Sequence, residues 1–177
     1  MDGESVESLI KSRIRDIPDY PSKGVVFRDI TPLLADQEAF KIAIDQLEVL
    51  VSSQQFDYIA CIEARGFIIG SALAYSMSKA LIPVMKKGKL PFRKIAKEYK
   101  LEYGTETIEM HEDAIRKGGK VMVIDDLIAT GGTASACAQL VKDIGAKVVG
   151  YGFLIELTGL KGRERLGEMN TFSVVKY

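Results

Sequence analysis

The chain has 177 residues, 47% of them hydrophobic and 27% charged, which is the composition of an ordinary globular protein. Lys and Arg together number 24, as do Asp and Glu, so the net charge indicates neither a nucleic acid nor a membrane as partner. No apolar run approaches the roughly 20 residues that a membrane span needs. We expect one domain over 1–177, and the two cysteines, which lack motif spacing, favour a cytoplasmic location.

The N-terminal third is predicted to hold two helices separated by an irregular segment. Residues 1–17 have the pattern of an amphipathic helix. Three prolines within 16–34 indicate an ordered, irregular covering segment, because proline lacks the backbone donor that regular structure uses. Helical periodicity resumes over 37–53 after Asp36, which suits an N-cap position.

Short apolar runs then alternate with amphipathic segments. Strands are predicted at 57–64, 81–85, 120–126, 147–157 and 171–177, with helices at 65–79 and 133–146. This order predicts an α/β fold with a mainly parallel, twisted sheet flanked by helices. Ligands of such sheets bind beyond the carboxyl ends of the strands, so the acids at 63, 125 and 126 should face one crevice.

A basic segment separates the second and third of these strands. Residues 86–100 contain seven Lys or Arg and one Glu, together with Gly88 and Pro91, and they show no helical period. We interpret the segment as a mobile loop joining two strands. Because the sequence shows no folded nucleic-acid-binding module around it, a nucleic-acid partner is disfavoured.

The stretch VMVIDDLIATGGT (121–133) combines an apolar strand, two adjacent acids and a glycine turn. The glycines would let successive N–H groups converge at the start of a helix, which is an arrangement that binds phosphate. The carboxylates could accept hydrogen bonds from a polyol, cap a helix, lie at the surface or bind a metal. A plain strand–turn–helix is the other interpretation of the turn. No lysine follows the glycines and no G-x-G-x-x-G is present, so neither a P-loop nor a dinucleotide fingerprint is indicated.

This stretch resembles the 5-phosphoribosyl-1-pyrophosphate (PRPP) motif of type I phosphoribosyltransferases. The resemblance implies that Asp125 and Asp126 hold the ribose hydroxyls. It also implies a turn that binds the 5′-phosphate, formed by Ala129, Thr130, Gly131, Gly132 and Thr133. The expected fold is that of the type I family, with an N-terminal hood over 1–35 and a flexible catalytic lid over 86–103.

Five further segments resemble the adenine-specific members of that family: GVVFRDITPLL (24–34), IEARGFIIG (62–70), KKGKLP (86–91), LEYGTETIE (101–109) and LIELTGLKGRERL (154–166). The implied reaction converts adenine and PRPP to AMP and pyrophosphate. It would pass through an oxocarbenium-like state, as glycosyl transfer does. The resemblance also implies Mg²⁺ carried by PRPP without direct protein ligands, and a homodimer.

The resemblance assigns the remaining roles residue by residue. Arg65 and Gly66 would form a pyrophosphate loop after a cis peptide at 63–64, and Lys86 and Lys89 would add positive charge. Arg65 and Glu102 would be catalytic, Glu102 as general acid/base on adenine. Tyr103 of the lid would pack over the ribosyl group. Adenine would be bound by Val26, Phe27, Arg28 and Leu127.

One departure and two alternatives accompany this interpretation. The family usually has Arg where this chain has Met85, which predicts weakened PRPP binding. One alternative is a transferase for another purine base, which VFRDITPLL and LEYGT disfavour. The other is a non-catalytic PRPP-sensing regulator, but the 23 residues before Gly24 are too few for an added nucleic-acid-binding domain.

Overall fold

The computed structural model describes residues 5–100 and 104–177, and the chain divides into two compact units, Met1–Gln46 and Leu47–Tyr177. The first unit contains helix α1 (Val6–Ser12), strands β1 (Arg15–Pro18) and β2 (Val26–Asp29), and helix α2 (Thr31–Ala35). Helix α3 (Gln37–Val51) begins in this unit and ends in the second.

Residues 16–34 are more regular than their prolines indicate. Strands β1 and β2 form an antiparallel hairpin, and the Arg28 guanidinium pairs with Asp16 across it. The hairpin connection is fastened by the Gly24 N–H, which donates to Asp19 Oδ1 at 2.7 Å. The expected irregular segment is therefore a hairpin followed by α2, because the prolines lie at a strand end, in the connection and in the first turn of the helix.

The second unit is built on a seven-stranded mixed sheet with the order β5-β6-β4-β3-β7-β8-β9. The strands are β3 (Tyr58–Ile62), β4 (Ala80–Lys86), β5 (Lys94–Lys100), β6 (Thr105–His111), β7 (Lys120–Ile128), β8 (Lys147–Glu156) and β9 (Thr171–Lys176). Its helices are α4 (Arg65–Ser76), α5 (Gly132–Asp143) and α6 (Gly162–Leu166), the last preceded by a 3-10 turn, Thr158–Leu160. Strands β4, β3, β7, β8 and β9 are parallel, whereas β6 is antiparallel to both β4 and β5.

The predicted α/β class with a mainly parallel sheet is confirmed, but the basic segment differs from the expected loop. Residues 94–100 form the edge strand β5, and only 87–93 connect it to β4. Tyr99 is buried and Ile95 packs against the core, with Lys97 between them on the same face. Because the lysine interrupts the apolar face, the period-2 signal of this strand is too weak to recognise.

The main core cluster packs α5 against the central strands, and α4 buries Ile69, Leu73 and Ala74. Glycines let α4 approach the sheet closely: a Cβ added at Gly70 would lie 2.5 Å from Cys61 Cβ, and one at Gly66 would lie 2.6 Å from Asp125 Oδ1. The N-terminus of α4 is therefore set directly beside the acids of β7. Within the part of the chain that the structure describes, no helix is both long enough and apolar enough to cross a membrane.

Candidate active site

The glycine turn lies between the end of β7 at Ile128 and the start of α5 at Gly132. Gly131 has φ of 76°, in the left-handed region that favours glycine, and its carbonyl accepts the first helical bond from Ser135 N. The turn opens into a cleft of about 180 Å³. Its lining is formed by Asp125, Leu127, Ile128, Ala129, Thr130, Gly131, Gly132, Thr133, Ala134 and Phe153. The first-turn N–H groups of α5, which have no helical acceptor, make this cleft suited to an anion.

Helix α6 supports the turn from behind. A Cβ at Gly131 would lie 2.5 Å from Gly162 O, and a Cβ at Gly162 would collide with Ala129 O. The helix is fastened by Arg163, whose Nε and Nη2 each donate at 2.6 Å to the two carboxylate oxygens of Glu156 on β8. The pKa of Glu156 is lowered chiefly by this hydrogen-bonded arginine. The shape of the turn therefore depends on a segment some 30 residues further along the chain.

The adjacent acids lie within β7, which continues past them to Ile128. Asp125 Oδ1 accepts from Asp126 N at 2.9 Å, and Asp126 Oδ2 lies 2.6 Å from Arg65 Nη2. Burial, together with the charge of Asp126, raises the pKa of Asp125 well above its usual range. Burial also raises the pKa of Asp126, against the opposing effect of Arg65. Both carboxyl groups line one cleft, as the crevice prediction requires.

That second cleft, also of about 180 Å³, lies at the end of β3. The peptide between Glu63 and Ala64 is cis, as the resemblance implies, and α4 begins at the next residue, Arg65. The cleft shares Asp125 and Thr133 with the glycine-turn cleft. The two clefts are therefore adjacent, and together they could hold a ligand with a phosphate at each end.

Each basic side chain assigned to pyrophosphate has a carboxylate partner. The pairs are Arg65 with Asp126, Lys86 with Glu106 and Lys89 with Glu63. Glu63 also accepts from Lys86 N at 2.8 Å. The pKa of Glu63 is lowered, first by its hydrogen bond with Lys89 and then by that with the Lys86 backbone. The cations are therefore held in place by neighbouring acids.

Sequence reasoning missed two residues of the second cleft, Tyr99 and Glu106. They are paired across β5 and β6, and Tyr99 Oη donates to Glu106 Oε2 at 2.8 Å. The pKa of Tyr99 is raised to about 12, chiefly by burial. They could have been found by pairing β5 with β6 as an antiparallel hairpin, because that register places Tyr99 opposite Glu106. This pairing requires that β5 be recognised as a strand.

The other predicted site residues are placed as follows. Leu127 lines the glycine-turn cleft. Val26, Phe27 and Arg28 lie on β2 of the first unit, where the Phe27 ring packs edge-on against Tyr20 with centroids 5.3 Å apart. Residues 102 and 103 lie outside the described residues. The roles assigned to all these side chains stay predictions.

A family model described as "Phosphoribosyl transferase domain" matches residues 32–175. The match covers most of the chain and includes the whole β7–turn–α5 motif and both clefts. The chain therefore belongs to the phosphoribosyltransferase family.

Curated relatives and solved structures narrow this to the adenine phosphoribosyltransferases. The chain is 54% identical over 168 residues to that enzyme from a Thermotoga species, covering 95% of this chain and 99% of the relative. The corresponding figures for the enzyme from Brachyspira hyodysenteriae are 53%, 95% and 99%. The crystal structure from Thermoanaerobacter pseudethanolicus has a TM-score of 0.94 at 46% identity, covering 98% of this chain and all of that one.

A further solved structure carries ligands. The enzyme from Saccharomyces cerevisiae, complexed with an imino-altritol bisphosphate and adenine, has a TM-score of 0.89 at 35% identity. The alignment covers 96% of this chain and 98% of that one.

Proposed function

We propose that this chain transfers the phosphoribosyl group of PRPP to adenine, giving AMP and pyrophosphate in purine salvage. The observation that supports the proposal is a pair of adjacent clefts, one at the glycine turn and one with basic side chains, which share Asp125 and Thr133. The preference for adenine rests on the relatives, which are named adenine phosphoribosyltransferases, and on a solved relative that contains adenine.

The glycine turn would bind the 5′-phosphate and fix one end of the substrate. The N-terminus of α5 supplies converging N–H groups and a positive dipole end, and Thr130 and Thr133 add hydroxyl donors. Because α6 supports the turn, these donors are in place before the ligand arrives. Little reorganisation would then be needed on binding.

The acid pair would bind the ribose and stabilise positive charge at the reacting carbon. Both carboxyl groups line the second cleft, and a carboxylate offers about four lone-pair sites, so each could accept a ribose hydroxyl in addition to its present partner. An oxocarbenium-like state places positive charge on the ribose ring, and carboxylates in a partly desolvated cleft stabilise such charge more strongly than water does.

The basic side chains would stabilise the leaving pyrophosphate. Arg65, Lys86 and Lys89 each pair with one carboxylate, whereas a guanidinium has five N–H groups and an ammonium three. Each can therefore bind a phosphate oxygen without first losing its acidic partner.

Magnesium is part of the proposal as a cofactor carried by PRPP. The second cleft contains four carboxylates and two cations among its described residues, an excess of oxygen donors that suits a hard cation. Among the residues described, no group of three or more potential ligands converges on one point. By resemblance to the family, a magnesium ion would be held mainly by pyrophosphate oxygens and water, as magnesium prefers, and would neutralise phosphate charge.

The proton transfer and the base pocket rest on sequence likeness. Glu102 would exchange a proton with the imidazole ring of adenine, and Tyr103 would cover the ribosyl group. Phe27 would stack on the purine, with Leu127 on its other face and the backbone of Val26 and Arg28 at its edge. A homodimer and a cytoplasmic location complete the proposal, the latter supported by two buried free cysteines.

A product assay tests the function directly. The full chain is incubated with PRPP, Mg²⁺ and one base at a time: adenine, hypoxanthine, guanine, xanthine or uracil. AMP and pyrophosphate from adenine alone are expected, with turnover lost in EDTA and restored by Mg²⁺. Turnover of an oxopurine instead would refute the base assignment. PRPP binding by calorimetry without turnover of any base would favour the sensor alternative.

A further inference from the structure

Two side chains that received no role from the sequence, Tyr99 on β5 and Glu106 on β6, link the two ends of the cleft system. They are direct partners in the antiparallel ladder, and the Tyr99 hydroxyl donates to Glu106 Oε2 at 2.8 Å. Tyr99 is only 8% exposed, so this hydrogen bond is largely shielded from competing water. The pair is therefore a fixed connection between the two strands.

Glu106 extends the connection toward the pyrophosphate end. Its Oε1 lies 2.6 Å from Lys86 Nζ, and the side chains of Glu106 and Lys86 are 25% and 51% exposed. A lysine ammonium is a point charge on a flexible four-carbon stem, so its position depends on what it pairs with. Glu106 fixes one donor of Lys86 and leaves the other two for phosphate oxygens.

Tyr99 extends the connection toward the 5′-phosphate end. Thr133, in the first turn of α5, lines the second cleft together with Tyr99, and its interaction with the Tyr99 hydroxyl opposes the rise in the pKa of Tyr99. The Tyr99 ring packs on the glycine turn: a Cβ at Gly132 would lie 3.6 Å from Tyr99 Cδ2 and 3.2 Å from Lys100 O. Strand β5 therefore covers the outer side of the turn, and the contacts run continuously from Lys86 to Thr133.

We propose that Tyr99 and Glu106 are positioning residues for PRPP, which hold Lys86 and Thr133 at the separation that the two phosphate ends require. This inference rests on the proposed function. Neither residue is assigned to touch adenine, so its loss should weaken PRPP binding and leave adenine binding unchanged. The direction of the change in PRPP affinity is informative for Glu106. If its carboxylate merely repelled the anion, neutralising it would strengthen PRPP binding, whereas a positioning role predicts weaker binding.

The test compares Tyr99→Phe and Glu106→Gln with the control Glu98→Gln, an exposed glutamate on the same strand. Calorimetry measures the Kd for PRPP with Mg²⁺, and steady-state kinetics measures KM for each substrate. Each variant should raise the Kd and KM for PRPP about three- to tenfold, as expected for loss of one buried or charge-assisted hydrogen bond. The KM for adenine should stay unchanged, and Glu98→Gln should match the wild type.

The double variant Tyr99→Phe/Glu106→Gln decides whether the two residues act through one connection. Residues acting as a unit are non-additive, so the double variant should raise the Kd for PRPP little more than the larger single effect. Effects that multiply, or a lower Kd in Glu106→Gln, would overturn the inference. Wild type that binds PRPP without turnover would refute the proposed function, whereas the Kd ratios would still decide the positioning role.

Discussion

Replacing Gly162 with alanine tests whether α6 sets the shape of the phosphate turn. The added Cβ would collide with Ala129 O and would lie 2.7 Å from Ile128 Cγ1. Real Cβ atoms do not approach backbone oxygens this closely, so either the turn or α6 must move. Movement of α6 is opposed by the Arg163–Glu156 pair, which anchors it to β8.

The size of the effect follows from the site of the collision. Overpacking against backbone typically costs about 1–3 kcal/mol of folding free energy. A catalytic or binding group displaced by about 1 Å can lose roughly a hundredfold in rate. We therefore expect kcat/KM for PRPP to fall between about ten- and a hundredfold. The KM for adenine should change little, because the displaced donors bind phosphate.

Gly159→Ala is the matched control. It lies in the 3-10 turn three residues before Gly162, and its added Cβ would meet nothing within 4 Å. Steady-state kinetics with varied PRPP and a thermal melt are measured on both variants and the wild type. If Gly162→Ala matched Gly159→Ala in the KM for PRPP and in Tm, the proposed support of the turn by α6 would be refuted.

Three further outcomes are expected. Met85→Arg should lower the KM for PRPP, because it restores the family arginine on β4; an unchanged KM, with Met85→Leu as control, would count against this. Arg163→Gln should lower the free energy of unfolding by about 2 kcal/mol at pH 7. Because Arg163 lowers the pKa of Glu156, this loss of stability should shrink as the pH falls below 4.5, the ordinary pKa of a glutamate. Denaturant melts across pH 3–7 that show the same loss at every pH would contradict it. Burial raises the pKa of Cys61 to about 12 and also raises the pKa of Cys137. Both thiols should therefore resist thiol reagents until the protein unfolds, and rapid labelling of the native chain would contradict this.

The sequence predicts the local parts of this site well. The β7–turn–α5 motif is recognisable because its strand, acids and glycines are contiguous, and the carboxyl-end rule places Glu63 beside Asp125 and Asp126 in one crevice. The sequence does not show which residues from distant parts of the chain contact one another in the site. The partners of Arg65, Lys86 and Lys89 lie on β7, on β6 and directly after β3, respectively.

The lysine-rich edge strand shows why such pairings are hidden. Composition over 86–100 indicates a solvated loop, yet Lys94 donates to Leu90 O at 2.9 Å and lies 3.2 Å from buried Glu109. Glu109 in turn accepts from Gly88 N at 3.0 Å. These contacts tie the connection to β6 and fix the hairpin register. A lysine that stabilises a strand through one buried acid has the same local sequence signature as a lysine in solvent.

A cleft proposed for a polyanion but lined by an excess of carboxylates requires explanation. Carboxylates that only repelled the ligand would lower affinity and bring no benefit. In this structure three of those lining the cleft, Glu63, Glu106 and Asp126, each hold a cation with several N–H donors. They therefore fix the cations before binding, which lowers the cost of ordering flexible side chains when the ligand arrives. In the proposed reaction the same negative charge would stabilise a cationic ribosyl centre once pyrophosphate begins to leave. Under the proposed function, a single arrangement of acids would serve both binding and the chemical step.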